Sequence, residues 1–132
     1  MIDEYVLVIL TVNGRYAMQL RDNRPDIDDP GLFGLFGGKI ENGESPEEAI
    51  AREINEELCI QPEKICFLRK IEIDDKRLGS NRIYWLFEAD VTPIWANHNL
   101  KEGQSTALFL FNELLQQPIP ELIKDLIIKH HK

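Results

Sequence analysis

The sequence predicts an α/β protein in which a mixed β-sheet is layered with helices. Three observations predict this class. A strand-like apolar run covers residues 5–12, and a strongly capped helical run covers residues 45–58. Further strand-like runs follow before a final helical segment at residues 119–131. With 132 residues, the chain has the usual size of one domain and can bury a core. We therefore expect a single domain over residues 1–132.

Two antiparallel strands are predicted at the start of the chain. Residues 5–12, YVLVILTV, are rich in β-branched and apolar side chains, and residues 15–21, RYAMQLR, alternate in polarity. The Asn-Gly pair between them is typical of a tight hairpin. Residues 22–34 contain two prolines and several Asp and Gly residues, so we interpret them as a long loop. Loops of this length in compact domains are often functional.

The clearest helix prediction covers residues 45–58, SPEEAIAREINEEL. Ser45 suits the N-cap, Pro46 suits the first helical position, and Glu48 completes a capping box. An apolar stripe with a spacing of four residues predicts packing against the sheet and consists of Ile50, Ile54 and Leu58.

The second half of the chain contains more strand-like runs and ends in a helix. The predicted strands are residues 64–74, 82–91 and 105–111. A polar turn around residues 74–81 joins the first two strands. Asn112 is placed to cap a short helical turn, and residues 119–131 have helical apolar spacing with basic side chains at the end.

Charge and composition narrow the classes of function. Fifteen Lys and Arg residues against 23 Asp and Glu residues give a net charge of −8, which disfavours binding to a long nucleic acid. The same charge disfavours anionic substrates unless divalent cations bound to the acids invert it locally. No run approaches the roughly 20 apolar residues of a membrane helix, and acids stand where a signal peptide has bases. We expect a cytoplasmic protein without a membrane partner.

Three carboxylates crowd one face of the predicted helix. Glu53, Glu56 and Glu57 lie at positions i, i+3 and i+4, where like charges repel by about 0.2–0.5 kcal/mol per pair. A cation is therefore expected beside them. Mg²⁺ prefers carboxylate oxygens and usually completes its shell with water and substrate phosphates. Arg52 is spaced to pair with Glu56 and to hold that carboxylate in place.

These acids belong to a longer pattern within residues 31–60, GLFGLFGGKIENGESPEEAIAREINEELCI. Gly38 is followed after five residues by Glu44 and after seven more by Arg52-Glu53-Ile54-x-Glu56-Glu57-x-Cys59-Ile60. The pattern resembles the signature of the Nudix hydrolase family, which has Gly where Cys59 stands, and six of its seven fixed positions match. The resemblance implies a Nudix-type mixed sheet sandwiched between helices.

The resemblance also implies a reaction. Nudix enzymes hydrolyse a nucleoside diphosphate linked to another group, by water attack at phosphorus, with Mg²⁺ or Mn²⁺. The ions neutralise the diphosphate while a carboxylate takes a proton from the water. By this resemblance Glu56 and Glu57 are metal ligands, and Glu53 is a ligand or the general base. The implied substrate is a small nucleotide, such as a nucleoside triphosphate.

Other positions receive supporting roles from the same resemblance. Gly37 and its neighbour form a loop whose backbone contacts metal or phosphate, and Glu44 supports that loop. Arg52 positions the carboxylates. Residues 101–104, KEGQ, resemble the stretch that carries a further metal-binding Glu in the mutator-type branch, which cleanses the nucleotide pool, and this points to Glu102.

Candidates for contact with the phosphates or the base are Arg21, Arg24, Arg82 and Tyr84. The branch that removes oxidised guanine nucleotides recognises the base partly through an Asn in a Pro-rich C-terminal segment. Residues 117–124, QPIPELIK, offer no equivalent, and Phe36 stands where the family often has Pro. Oxidised dGTP is therefore one candidate substrate among several.

A second hypothesis is a non-catalytic regulatory module that binds a nucleotide on a Nudix fold. Loss of an acid from the helix would favour it, and none is lost. RNA decapping fits poorly because the chain has no basic strip. The sequence leaves open whether the chain forms a homodimer.

Cys59 departs from the pattern where the predicted helix ends. A glycine would accept the left-handed conformation that ends a helix, whereas a side chain there costs about 1–2 kcal/mol. The sequence predicts either a modest loss of stability or a slightly longer helix. Cys59 and Cys66 form neither a CxxC pair nor a disulfide framework, so we expect two reduced, partly buried thiols.

Overall fold

The computed structural model describes residues 2–75 and 80–131 and confirms the α/β class. In chain order the elements are β1 (Ile2–Val12), β2 (Arg15–Leu20), β3 (Phe33–Gly34), β4 (Phe36–Lys39), α1 (Pro46–Leu58), β5 (Cys66–Asp75), β6 (Ser80–Asp90), β7 (Ser105–Phe109), α2 (Phe111–Leu114) and α3 (Glu121–His131). The middle of the predicted turn around residues 74–81, residues 76–79, lies outside the described residues.

β1 is the strand on which the sheet is assembled. It pairs antiparallel with β2 and β4, and parallel with β6 from Ile2 to Thr11. β3 and β7 add antiparallel to β2, and β5 adds antiparallel to β6. The main path is β3-β2-β1-β6-β5, and the parallel β1–β6 pair makes the sheet mixed.

The sheet separates two apolar cores because alternate side chains of β1 point to opposite faces. One core packs β1 against α1 and contains Val6, Val8, Ile50, Ile54 and Leu58. The other packs β1 against α2 and α3 and contains Ile9, Leu114, Leu126 and Ile127. The predicted apolar stripe of α1 is therefore buried. Within the described residues, no helix has the length and apolar character needed to cross a membrane.

α1 begins as the sequence predicts. The Ser45 hydroxyl accepts a hydrogen bond from the Glu48 N–H at 3.1 Å, and the Glu48 carboxylate accepts one from the Ser45 N–H at 2.9 Å. Pro46 is the first residue of the helix. These local signals fix the start of the helix that carries the acids.

Two loop predictions are wrong at their edges. The loop predicted over residues 22–34 ends in the short strand β3, which pairs with β2. Gly37 and Gly38, predicted in a loop, lie in β4 and pair with β1. Glycine is a poor strand former by itself, so here the pairing with a buried central strand decides the conformation.

The short helix near the C terminus is capped differently from the prediction. Asn112 lies inside α2, and the N-cap is Leu110. The Leu110 N–H donates to the Glu113 carboxylate at 2.7 Å, so an acid within the helix binds the backbone at its start. The preceding strand accordingly ends at Phe109, two residues before the predicted end at 111.

Cys59 ends α1 in the left-handed conformation, with φ 58° and ψ 35°, and its N–H donates to the Asn55 carbonyl at 2.9 Å. The helix ends at Leu58, so the predicted longer helix is wrong, and the modest loss of stability stays a prediction. Cys59 is exposed and Cys66 is half-buried. The prediction of a partly buried thiol is wrong for Cys59, which belongs to an exposed helix end.

We predict that Cys59→Gly stabilises the protein by about 0.5–1 kcal/mol, because relief of the left-handed strain exceeds the added chain entropy of glycine. Urea unfolding of both proteins measures the difference. Asn13→Gly is the matched control, since Asn13 has a similar φ of 51° and Asn tolerates that conformation better. A Cys59→Gly variant that is less stable than the wild type would contradict the strain argument.

Candidate active site

α1 carries the three crowded acids at different depths. Glu57 is only 2% exposed, whereas the side chains of Glu53 and Glu56 are 12% and 57% exposed. The helix therefore turns Glu57 into the protein, keeps Glu53 at the boundary and leaves Glu56 in water.

Glu57 is a buried carboxyl with one backbone partner. Its Oε1 accepts a hydrogen bond from the Gly37 N–H at 3.0 Å. Burial, followed by the charges of Glu53 and Glu102, raises the pKa of Glu57 to about 9. Such a group is protonated at neutral pH unless a cation lies beside it.

The two glycines of β4 let the backbone pass close to this carboxyl. Gly37 has φ 154°, and a Cβ there would overlap the Val6 carbonyl oxygen. A Cβ on Gly38 would overlap the Glu53 carboxylate. The contact of β4 with β1 therefore requires glycine at position 37, whereas a side chain at position 38 would displace the Glu53 carboxylate from its observed place.

Arg52 binds several of the acids. Its guanidinium donates to Glu44 at 2.7 and 2.9 Å, to Glu53 at 2.9 Å and to Glu56 at 3.2 Å. The predicted pair with Glu56 is present, together with a stronger contact to Glu44. The hydrogen bonds from Arg52 and from the Glu41 N–H lower the pKa of Glu44 to about 2.

Glu102 is exposed and approaches Glu53 and Glu57 from the loop before β7. Burial is the main cause of the raised pKa of Glu53, and the charge of Glu102 adds to it as it does for Glu57. The three carboxyls therefore lie close enough to repel one another.

A divalent cation would relieve this repulsion, and the carboxylate oxygens are the donors that Mg²⁺ prefers. Over residues 2–75 and 80–131, no group of three or more His, Cys, Asp or Glu side chains already has the arrangement of a metal site. In the observed arrangement, Glu53 is bound by Arg52 and Glu57 by the Gly37 N–H. The carboxylates of Glu53, Glu57 and Glu102 are suitable ligands for a metal ion, and their side chains would need to rotate to complete the site.

A cavity of about 290 Å³ opens beside Glu57 and Glu102. One wall is aromatic: the rings of Tyr5 and Tyr84 lie side by side on β1 and β6, with centroids 5.5 Å apart and planes at 25°. The guanidinium of Arg82 lies 5.4 Å from the centre of the Tyr5 ring. A flat, aromatic ligand group suits such a wall.

Arg82 connects the aromatic wall to the long loop after β2. Its Nη1 donates to the Asp28 carboxylate at 3.2 Å and to the Tyr84 hydroxyl at 3.3 Å. Its Nε is buried and has no hydrogen-bond partner within the described residues. A buried donor without a partner is uncommon and is a natural contact for a ligand oxygen.

The structure brings together most of the predicted contact residues. Arg21, Arg82 and Tyr84 line the cavity beside Glu57. Arg24 lines a separate cavity of about 220 Å³, which Arg21 and Glu102 also border. The binding candidates therefore lie on both sides of Glu102.

Sequence reasoning missed Tyr5 and Asp28. Tyr5 is recognisable only once β1 and β6 are known to pair in parallel, because that register places it opposite Tyr84. Asp28 is one of several acids in the predicted loop, and no local signal distinguishes it. The C-terminal segment contributes apolar contacts, among them Leu122 and Ile123.

The NUDIX domain model matches residues 3–128. The chain belongs to the Nudix family. It is 38% identical over 68 residues to the 8-oxo-dGTP diphosphatase of Escherichia coli (strain K12), a match that covers 52% of this chain and half the length of that relative. The family predicted from the sequence is thus confirmed. Nudix hydrolases generally use divalent metal ions.

Solved structures share the fold of this Nudix protein. The MutT protein from Methanosarcina mazei Go1 is 19% identical, with a TM-score of 0.82 over 98% of this chain and 93% of that one. The MutT NUDIX hydrolase from Burkholderia pseudomallei is 22% identical, with a TM-score of 0.76 over 97% of each chain. At these identities the likeness shows the fold alone.

The raised pKa of Glu57 predicts a pH-dependent stability of the metal-free protein. Because the folded-state pKa of about 9 exceeds the usual 4.5, the stabilisation is complete below pH 4.5 and is lost as the pH rises towards 9. One proton gives a slope of at most about 1.4 kcal/mol per pH unit. Urea unfolding between pH 5 and pH 9 in EDTA measures this slope.

Glu57→Gln should flatten this slope, since glutamine does not titrate. Glu56→Gln, which changes an exposed acid one position away, is the control and should keep the slope of the wild type. Equal slopes for the wild type and Glu57→Gln would refute the assignment to Glu57.

Proposed function

We propose that this Nudix protein is a Mg²⁺-dependent hydrolase of small nucleotides in which a nucleoside diphosphate is linked to another group, as in nucleoside triphosphates. The observation that carries the proposal is the buried Glu57 carboxyl, with Glu53 and Glu102 close by, beside a cavity with an aromatic wall. A protein keeps such carboxyls together when a cation joins them. The single domain over residues 1–132 and the cytoplasmic location remain predictions.

The groups that would hold Mg²⁺, or Mn²⁺ in its place, are Gly37, Glu53, Glu56, Glu57 and Glu102. When bound there, such an ion would supply positive charge to neutralise the diphosphate and the leaving oxygens. The buried Glu57 and the exposed Glu102 both border the cavity and would bind the ion from that side. Glu56 stands in water and would bind only at the open side of the site.

Glu53 is our choice for the general base that takes a proton from the attacking water. Its raised pKa makes it a better proton acceptor than an exposed carboxylate. Arg52 holds it by a hydrogen bond of 2.9 Å. Glu44 in turn holds the guanidinium of Arg52, so that the base is oriented by two further side chains.

The nucleobase is proposed to lie against Tyr5 and Tyr84, with Arg82 above. The free Nε of Arg82 would donate to a carbonyl oxygen of the base or to a phosphate oxygen. Arg21 borders both cavities and is placed for the phosphates, whereas Arg24 reaches only the second cavity. Oxidised guanine nucleotides remain one candidate because the relative from Escherichia coli is an 8-oxo-dGTP diphosphatase.

Turnover of a nucleotide panel tests the proposal. We expect hydrolysis of at least one class among nucleoside triphosphates, including oxidised ones, nucleotide sugars, ADP-ribose and dinucleoside polyphosphates. EDTA should abolish it and Mg²⁺ restore it, and Glu57→Gln should lower kcat/KM by about 100-fold or more. Phosphate-product chromatography identifies the bond that breaks.

Absence of turnover on the whole panel at pH 7 and pH 9 would contradict the enzyme. Metal-independent nucleotide binding under those conditions would instead support the alternative, a regulatory module on a Nudix fold.

We predict that Arg82→Met raises KM about 10-fold and changes kcat by less than about 3-fold, because it removes a charged contact made before the reaction starts. Steady-state kinetics on the best substrate measures both constants. Arg15→Met, at an exposed position of β2 away from the cavity, is the control and should change neither. A lower kcat at constant KM would place Arg82 in the transition state instead of in substrate binding.

A further inference from the structure

Glu102 lies on a loop that is tied to two elements of the fold. The Lys101 N–H donates to the Glu57 carbonyl at the end of α1, at 2.8 Å. The Glu102 carbonyl accepts a hydrogen bond from Nε2 of Gln19 at 3.0 Å, and the Gln104 N–H donates to the end of β2 at 2.8 Å. The backbone on both sides of Glu102 is therefore fixed, once by the catalytic helix and twice by β2.

Gln19 is an unusual residue for its position. Gln19 and Glu57 are the two buried polar or charged side chains in the part of the chain that the structure describes, and Gln19 is 4% exposed. Burial of an amide is unfavourable unless it is hydrogen bonded. Both buried groups adjoin the same acid, since Gln19 binds the backbone of Glu102 and the charge of Glu102 acts on Glu57.

The residue after Glu102 packs directly on Gln19. Gly103 has φ +80°, and a Cβ there would lie 2.8 Å from the Leu20 carbonyl oxygen and 2.9 Å from Cγ of Gln19. A side chain at position 103 would therefore push the loop away from β2, so glycine permits the close approach and the Gln19 hydrogen bond opposes movement away from β2. Together these contacts set the distance between the Glu102 backbone and the sheet.

We propose that Gln19 is a positioning residue that fixes the backbone of Glu102 beside Glu57, so that the Glu102 carboxylate reaches a divalent cation by rotation of its side chain alone. This inference rests on the proposed function, in which Glu102 and Glu57 are metal ligands. Gln19 itself contacts neither the metal nor the substrate in this role. Its effect on metal binding should therefore depend on the presence of the Glu102 carboxylate.

The test is a double-mutant cycle on Mn²⁺ binding, measured by titration calorimetry and by the electron paramagnetic resonance signal of free Mn²⁺. Gln19→Met keeps the length of the side chain and removes the donor, and we expect it to raise the Kd for Mn²⁺ by about 10-fold. In a Glu102→Gln background, the same change should alter the Kd by less than about 2-fold. Gln19→Asn, which keeps the amide and is too short for the contact, should behave as Gln19→Met does.

Met18→Leu is the matched control, because Met18 is fully buried on the same strand and faces the other core. It should leave the Kd for Mn²⁺ unchanged even where it lowers the melting temperature. Thermal unfolding of every variant separates a loss of stability from a loss of metal affinity.

Three results would overturn the inference. Gln19→Met could leave the Kd for Mn²⁺ unchanged, or it could raise it by the same factor with and without the Glu102 carboxylate. In both cases, Mn²⁺ binding and turnover by the wild type would leave the proposed function standing. If the wild type binds no Mn²⁺ and hydrolyses no nucleotide, the proposed function fails and this inference fails with it.

Discussion

Glu57 places an ionisable group between helix α1 and the sheet, where water hardly reaches it. The surrounding backbone is arranged around this group: Gly37 donates its N–H to the carboxyl, and Lys101 donates its N–H to the carbonyl of the same residue. Strand β4 and the loop of Glu102 are thus both fixed to one helical position. A buried carboxyl is unfavourable in isolation, so the geometry around Glu57 is best explained by a cation that shares the site.

The positive charge of Arg52 reaches some acids of the site, and Glu57 needs a second positive charge. It binds Glu44, Glu53 and Glu56, and Glu44 is kept ionised by this contact. Arginine is always charged, so these pairs persist across the working pH range. The main influences on the pKa of Glu57 are its burial, the charges of Glu53 and Glu102, and the hydrogen bond from the Gly37 N–H. Arg52 therefore pairs with Glu44, Glu53 and Glu56, whereas the main partners of Glu57 are a backbone N–H and other acids, which leaves Glu57 for a metal.

The sequence could predict what depends on neighbours along the chain. The capping box of α1 and the contact of Arg52 with Glu56 join residues that are at most four positions apart, and both are present. The sequence could not predict contacts between distant residues, because Tyr5 contacts Tyr84 only through the parallel pairing of β1 with β6. The sequence predicts a loop at the two glycines of β4 for the same reason, because this strand forms by pairing with the distant β1. The local sequence pattern thus predicts the acids of the site, whereas the pairing of distant strands forms the aromatic wall of the cavity.

The end of α1 links the departure at Cys59 to the site. A helix leaves its last carbonyls without partners inside the helix. Here the Leu58 carbonyl accepts a hydrogen bond from the Asn99 N–H at 2.9 Å, and the Glu57 carbonyl accepts one from the Lys101 N–H at 2.8 Å. The loop that carries Glu102 therefore supplies hydrogen-bond donors to these two carbonyls. The left-handed turn at Cys59 leads the chain away and leaves them accessible to that loop. The site therefore requires the conformation at position 59, and a cysteine that adopts it preserves the placement of Glu102 at some loss of stability.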